Sequence, residues 1–313
     1  MKLLLLSVFV ICAFTYSFDA DNFKQKSVLV TGGCQGIGYS TALMFAQAGA
    51  KVTIVCRNTT KGHMSQSKIL SDPLVKTAGG DAYYVEADLR FPRQAKKMIN
   101  QIHSKYGTLD ICINNAGISG RITKIGVDSD EELGMLQLGD HDAIFNNIYA
   151  TYNSLHYEVK YFREHMKDGC VVNVASGNGL KGTPMGGYYG TSKYGVIGLT
   201  KSVALEYIVR DEETQTPFIR VNAVAPGLVD TPLSWNQAKW MVSGGAMQPY
   251  EGEDIMSNQH PLWLQIKDNW ISQLPNKRIS TPEEQANVIL FLCSDKASYV
   301  SGTVWSVDAG ITA

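Results

Sequence analysis

Tyr189 and Lys193 stand four residues apart in the run "YGTSKYGVIGLTKSVALEYIV", which reads as a helix over 189–209. That spacing puts both side chains on one helix face. A free phenol titrates at about 10 and is a poor base near neutrality, but a neighbouring ammonium favours the phenolate. The pair therefore suits reactions that pass a proton to or from an oxygen, hydride transfer at a carbonyl among them. Ser176 closes the apolar run "CVVNVAS", at the C-terminal edge of an expected strand. A hydroxyl there can donate to a substrate oxygen as charge develops on it, or simply cap the turn into "GNGLKG".

A second constellation lies near the other end of the chain. In "VLVTGGCQGIGYSTALMFAQAGA" an apolar run stops at Gly32, Gly36 and Gly38, with Ile37 between the last two, and a helix-like pattern follows them. Glycines between strand and helix permit a tight turn and a close backbone approach to a pyrophosphate. The helix N-terminus then adds unpaired N–H groups and partial positive charge. The spacing departs from GxGxxG, with three residues between Gly32 and Gly36.

Positioning these residues requires a regular frame. Strand-like runs at 28–30, 52–56, 82–86, 109–113, 171–175, 220–225 and 304–307 alternate with helical patterns at 40–48, 92–106, 141–166, 189–209 and 282–292. Several of the strand runs are apolar throughout, which suits a parallel sheet covered on both faces. The expected fold is α/β, a Rossmann-type doubly wound parallel sheet of about seven strands with helices on both faces. One domain is expected over 18–313. The stretch 231–275 breaks the rhythm, carrying Trp235, Trp240, Tyr250, Trp263 and Trp270 with Met241, Met247 and Met256. A strandless segment of that length reads as a substrate lid, or else as a helical unit whose aromatics pack on one another.

The order and spacing of the motifs resemble the short-chain dehydrogenase/reductase family. "TGGCQGIG" has that family's T-G-x-x-x-G-x-G form, followed by "NNAG" at Asn114–Gly117, Ser176 thirteen residues before Tyr189, "YGTSK", and "PG" at Pro226–Gly227. The resemblance runs from about Val28 to Gly310. It implies that Tyr189, rather than Tyr188, is the general acid–base, with Ser176 on the substrate oxygen. Lys193 then also holds the nicotinamide ribose. It further implies Asn147, in "IFNNIYAT", as a fourth catalytic member holding a water path. Asn146 is the neighbouring alternative, and Ala150 stands where the family has Gly. By the same resemblance Asn115, Ala116 and Gly117 build the cofactor site, and Pro226, Gly227, Val229 and Thr231 meet the nicotinamide. Asp88 takes the adenine amino group, or caps the turn before Pro92.

The second strand ends in "VCRN", with Cys56 where NAD-preferring relatives carry Asp and Arg57 after it. Arg can pair with a 2′-phosphate, whereas Cys cannot hold a ribose diol. The expectation is NADP over NAD, although Gln35 stands where such relatives often place a second basic residue. The partner is then an apolar alcohol or ketone of steroid, retinoid or lipid type, and by family habit the chain is a homodimer or homotetramer. A non-catalytic NADP-binding sensor on the same fold is the rival reading.

Composition narrows the rest. The 313 residues hold 28 basic and 29 acidic side chains, a balance that argues against a nucleic-acid partner. The N-terminus "MKLLLLSVFVICAFTYSF" reads as a secretory signal over 1–17, or as a membrane anchor if uncleaved, which places the chain in the secretory pathway, the endoplasmic reticulum lumen or outside the cell. Beyond Cys12, five cysteines remain, in no metal-like spacing, and read as buried thiols rather than staples. "NTT" at Asn58 is a glycosylation sequon, and a glycan there would crowd the 2′-phosphate side.

Overall fold

Seven short apolar runs pair side by side as a parallel sheet: β1 (Ser27–Thr31), β2 (Lys51–Cys56), β3 (Asp81–Glu86), β4 (Ile111–Asn114), β5 (Gly169–Val174), β6 (Ile219–Pro226) and β7 (Val304–Val307). Their order is β3-β2-β1-β4-β5-β6-β7, the doubly wound arrangement expected from the sequence. The computed structural model describes residues 22–120, 122–127, 142–211, 213–214, 216–242 and 261–313. The segment 1–17 read as a signal, together with Tyr250, Met247 and Met256, lies outside the described residues.

Helices cover both faces of the sheet. They are α1 (Gly36–Gln47), α2 (Thr59–Ser71), α3 (Pro73–Ala78), α4 (Pro92–Tyr106), α5 (Ala143–Glu164), α6 (Gly187–Glu206), α7 (Pro232–Val242), α8 (Pro261–Gln273) and α9 (Pro282–Cys293). Val28, Val30, Ile54, Ile113 and Val172 pack on one side against Phe45 of α1 and Ile289 of α9. Leu29, Val55, Cys112 and Val171 pack on the other against Met98 of α4, Phe162 of α5 and Ala204 of α6. Because neither face meets water, the strands are apolar throughout rather than alternating. Each large side chain buried this way contributes roughly 1.5–3 kcal/mol. β1 lies between β2 and β4, so successive connections leave it in opposite directions. That reversal opens a crevice beyond the C-terminal strand ends, where α/β sheets take ligands.

A buried polar chain ties this reversal to the helices behind it. Asn114 Nδ2 donates to Glu158 Oε2 at 2.9 Å and to Asn173 Oδ1 at 3.0 Å. Asn173 Nδ2 in turn donates to Thr200 Oγ1 at 2.9 Å. Glu158 is fully buried, and burial pushes its carboxyl up to about 8, against the opposing pull of the Asn114 bond. It is thus an uncharged acid at neutral pH.

A group protonated in the folded chain and ionised in the unfolded one makes stability fall as pH rises between the two pKa values. Stability should therefore decline from about pH 4.5 through about pH 8, by up to about 5 kcal/mol. Glu158→Gln should flatten that decline, so denaturant unfolding at pH 5 and pH 8 compares the two proteins directly.

Candidate functional site

Every candidate catalytic or cofactor-binding residue except Gly38 and Asn147 lines a single groove, of about 330 Å³, along the C-terminal ends of the strands. At its middle, β1 passes into α1. Gly32 has φ +65°, and a Cβ there would sit 2.9 Å from the Ala116 Cα. A Cβ on Gly38 would come within 2.4 Å of both the Gly32 carbonyl oxygen and Asn115 Nδ2. The backbone is packed so closely that only glycine fits, which leaves the start of α1 open to the groove. Asn115 Nδ2 donates to the Thr31 and Gly32 carbonyls at 3.1 and 3.2 Å, locking the turn to β4. A cradle that a methyl group would fill is the geometry a dinucleotide pyrophosphate requires.

One end of the groove is basic. Arg57 lies 3.9 Å from Asp88, and Lys61, one turn into α2, donates to Gln35 Oε1 at 3.2 Å. Lys61 supplies a second cation beside Arg57 that sequence reading missed. Its signal was its position four residues after Arg57, on a helix whose polar composition hid it. Asn58 caps that helix, accepting from the Lys61 backbone N–H at 2.9 Å. Asp88 is engaged by Arg90 at 2.5 to 3.0 Å. Burial opposes its ionisation, but the bonds from Arg90 outweigh that and hold the carboxyl below its usual range.

The expected thiols at this end are in fact bonded to each other. Cys34 of the glycine turn and Cys56 at the end of β2 form a disulfide with Cα atoms 6.2 Å apart. They stand 22 residues apart, and spacing alone does not reveal that β1 and β2 end side by side. Cys112, Cys170 and Cys293 are buried and free. Among the described residues, no cluster of three or more His, Cys, Asp or Glu could hold a metal ion.

At the other end, Ser176 follows β5, while Tyr189 and Lys193 lie on α6. The Ser176 hydroxyl is near enough to the Tyr189 phenol to favour its ionised form, and the Lys193 ammonium lies 5.7 Å from the Tyr189 ring centroid. Lys193 Nζ donates to the Val174 carbonyl at 2.8 Å. The expected depression of the Tyr189 pKa is not what this arrangement gives. Burial pushes the phenol above its ordinary value, the Ser176 hydroxyl pulls it back in part, and burial brings Lys193 down to about 8. Desolvation penalises both charged forms more than the pair's separation rewards them. Asn147 is fully buried behind the groove. Its Oδ1 accepts from the Ile118 N–H at 2.8 Å and its Nδ2 donates to Ser192 Oγ at 2.9 Å. A Cβ on Gly117 would lie 3.0 Å from Asn147 Oδ1 and 3.5 Å from Lys193 Nζ, so these residues converge. Asn146 instead donates to the Asp142 carbonyl and lines the groove.

Pro226, Gly227, Val229 and Thr231 form the roof beyond β6. In the stretch expected to be a lid, α7 and α8 pack through Trp235, Ala238, Ile266 and Trp270.

The chain matches the family described as short chain dehydrogenase over residues 26–242, and enoyl-(acyl carrier protein) reductase over residues 253–312. It is 34% identical to a 3-oxoacyl-[acyl-carrier-protein] reductase of Thermotoga maritima, over 92% of this chain and 98% of that protein. It is 33% identical to a 3beta-hydroxysteroid dehydrogenase of Mediterraneibacter gnavus, over 94% and 98%. Among solved structures it superposes on levodione reductase with a TM-score of 0.75 at 29% identity, covering 93% of this chain and 98% of that one. These relatives overturn the expected location in the secretory pathway. The two curated ones are bacterial enzymes matched over nearly their whole lengths. Among the described residues no helix is long and apolar enough to cross a membrane.

Gly38→Ala should weaken dinucleotide binding about 10-fold or more, because the added methyl must push the turn and Asn115 apart. Fluorescence titration with NADPH measures this, with circular dichroism reporting that the sheet and helices persist.

Proposed function

The chain belongs to the short-chain dehydrogenase family, and from that premise we propose that it is an NADP-dependent oxidoreductase interconverting a secondary alcohol and a ketone. The family holds dehydrogenases and reductases of alcohols and ketones, so the reaction class is an oxidoreduction. The observation that carries the finer reading is the convergence of Ser176, Tyr189 and Lys193 at one end of the glycine-lined groove.

The nicotinamide, when bound, supplies or accepts a hydride. The protein does the rest. Gly32, Gly36 and Ile37 would hold the pyrophosphate at the start of α1, with Gly38 packed behind to keep the turn close and Asn115, Ala116 and Gly117 as the opposite wall. Pro226, Gly227, Val229 and Thr231 would hold the nicotinamide end, and Asp88 would take the adenine amino group. Ser176 donates to the substrate oxygen as negative charge grows there. Tyr189 delivers the proton in reduction and removes it in oxidation. Its raised pKa keeps the phenol protonated near neutrality, ready to act as an acid. Lys193, pushed down to about 8, still carries charge at neutral pH and steadies the phenolate after the proton has left. Asn147, fixed between Ile118 and Ser192, positions the proton path behind Lys193.

Arg57 and Lys61 support the choice of NADP, since two cations beside the end of β2 suit a 2′-phosphate and β2 ends in Cys56 rather than an acid for the ribose diol. The stretch 231–275, within one domain over 18–313, would shape an apolar substrate site. Tyr149, Tyr152 and Tyr194, exposed on α5 and α6, offer a face for pairing with a second copy.

Two variants test this reading. Tyr189→Phe should lower kcat by about 10²-fold or more while leaving the dissociation constant for NADPH within about 2-fold. A binding-only protein has no turnover to lose, so activity absent from the parent across steroid, cyclic and acyl ketones would favour the sensor. Arg57→Ala with Lys61→Ala should weaken NADPH by about 10-fold or more and leave NADH nearly unchanged. Equal losses for both cofactors would remove the 2′-phosphate assignment.

A further inference from the structure

The disulfide at the adenosine end has no part in the chemistry described above. Cys112, Cys170 and Cys293 are buried and free, whereas Cys34, buried at the edge of the core, and the partly covered Cys56 both line the groove. Cys34 belongs to the turn that must receive the pyrophosphate, and Cys56 ends the strand that reads the adenosine ribose. The bond therefore joins the two walls between which a dinucleotide would lie. On the β4 side the turn is held by Asn115, whereas towards β2 and α2 it is held by Gly33 N–H on the Val55 carbonyl at 3.3 Å, the Ser65 hydroxyl on the Cys34 carbonyl at 2.9 Å, Lys61 on the Gln35 side chain at 3.2 Å, and the disulfide, the one covalent tie.

We propose that Cys34–Cys56 is a thiol–disulfide exchange site, reversibly reduced by a dithiol, whose state sets the affinity of the groove for NADPH. The inference rests on the cofactor reading given above. A thiolate of the dithiol attacks Cys56 Sγ, the more exposed sulfur, so that a mixed disulfide forms and the Cys34–Cys56 bond breaks. Cys34 leaves as a thiolate and takes up a proton. The second thiol of the reductant then closes its own disulfide and releases Cys56, which is protonated in turn. Two electrons and two protons pass from the dithiol to the protein, and an oxidised dithiol reverses the step.

The direction of the effect follows from preorganisation. With the bond in place, the glycine turn is held against the end of β2 before the ligand arrives, and less ordering is needed on binding. Once reduced, the turn loses its covalent tie to the end of β2 and keeps only hydrogen bonds on that side. By reciprocity, a ligand that binds the oxidised form better also protects the disulfide. A bound dinucleotide would in addition cover Cys56 directly.

The experiment uses the full chain purified without reductant. Alkylation in denaturant followed by peptide mapping should find Cys34 and Cys56 linked, and should find both labelled after dithiothreitol. NADPH titration should then show affinity lower by roughly 5-fold or more after reduction, the scale of ordinary coupling between sites. Cys34→Ser with Cys56→Ser should bind like the reduced chain whether or not dithiothreitol is present. Saturating NADPH should slow reduction of the parent by a similar factor. Equal affinity in both states, or both cysteines alkylated before reduction, would overturn the proposal and leave the cofactor reading standing. Failure of either state to bind NADPH would overturn both.

Discussion

The molecule depends on how closely the ends of β1 and β4 are stitched together. Thr31 Oγ1 accepts from the backbone N–H groups of Asn115 and Ala116 at 3.0 and 3.1 Å. Asn115 returns its amide to the Thr31 and Gly32 carbonyls. These bonds satisfy strand ends that would otherwise be stranded at the bottom of a cleft. They also leave no space for side chains at Gly32 or Gly38, so the chain must turn sharply into α1. The groove, its polarity and the placement of both its ends follow from that one close approach.

Burial creates a tension at the reacting end. The same desolvation that raises Tyr189 lowers Lys193, so each group is pushed towards its neutral form. A neutral phenol suits proton delivery, and a lysine near 8 stays close to the point where small changes in its surroundings alter its charge. The two residues are therefore better described as two buried groups each held towards neutrality than as a base permanently activated by an ammonium. Asn147 reaches the backbone of Ile118 on one side and Ser192 on the other, which fixes the wall behind Lys193 without touching the groove itself.

Much of the frame was legible because a doubly covered parallel sheet leaves a plain signature. The strand 304–307 and the helix 92–106 fall where the sequence placed them, and the other strands differ by a residue or two at their ends. Helix α1 starts at Gly36, inside the turn, because the glycines there belong to its first turn rather than to a loop before it. Helices α2 and α3 were passed over since "TTKGHMSQSKILS" buries few apolar residues and relies on the Asn58 cap, with Asp72 capping the next. Type and spacing picked out the candidate site residues, all of which but Gly38 and Asn147 line the groove. What could not be read was any property set by three-dimensional proximity across β1 and β2. The disulfide, Lys61 beside Gln35, and the sign of the Tyr189 shift all arise from burial or from neighbours distant in sequence.

The roof of the groove is not independent of its floor. A Cβ on Gly36 would lie 3.2 Å from Thr231 Cγ2, so the loop after β6 rests directly on the glycine turn. That loop is itself held on a firm mount. Ser234 Oγ donates to the Val229 carbonyl at 2.7 Å, and the Asp230 N–H donates to the Ser280 carbonyl at 2.9 Å. Trp235 Nε1 donates to Asp230 Oδ1 at 2.8 Å, while its ring packs with Ile266 and Trp270. Part of the aromatic content expected to meet substrate thus holds α7 against α8 instead. A group occupying the turn would press on Thr231 and, through this mount, on both helices. Cofactor occupancy and the shape offered to a substrate would then be linked by contact at Gly36, with no separate hinge required.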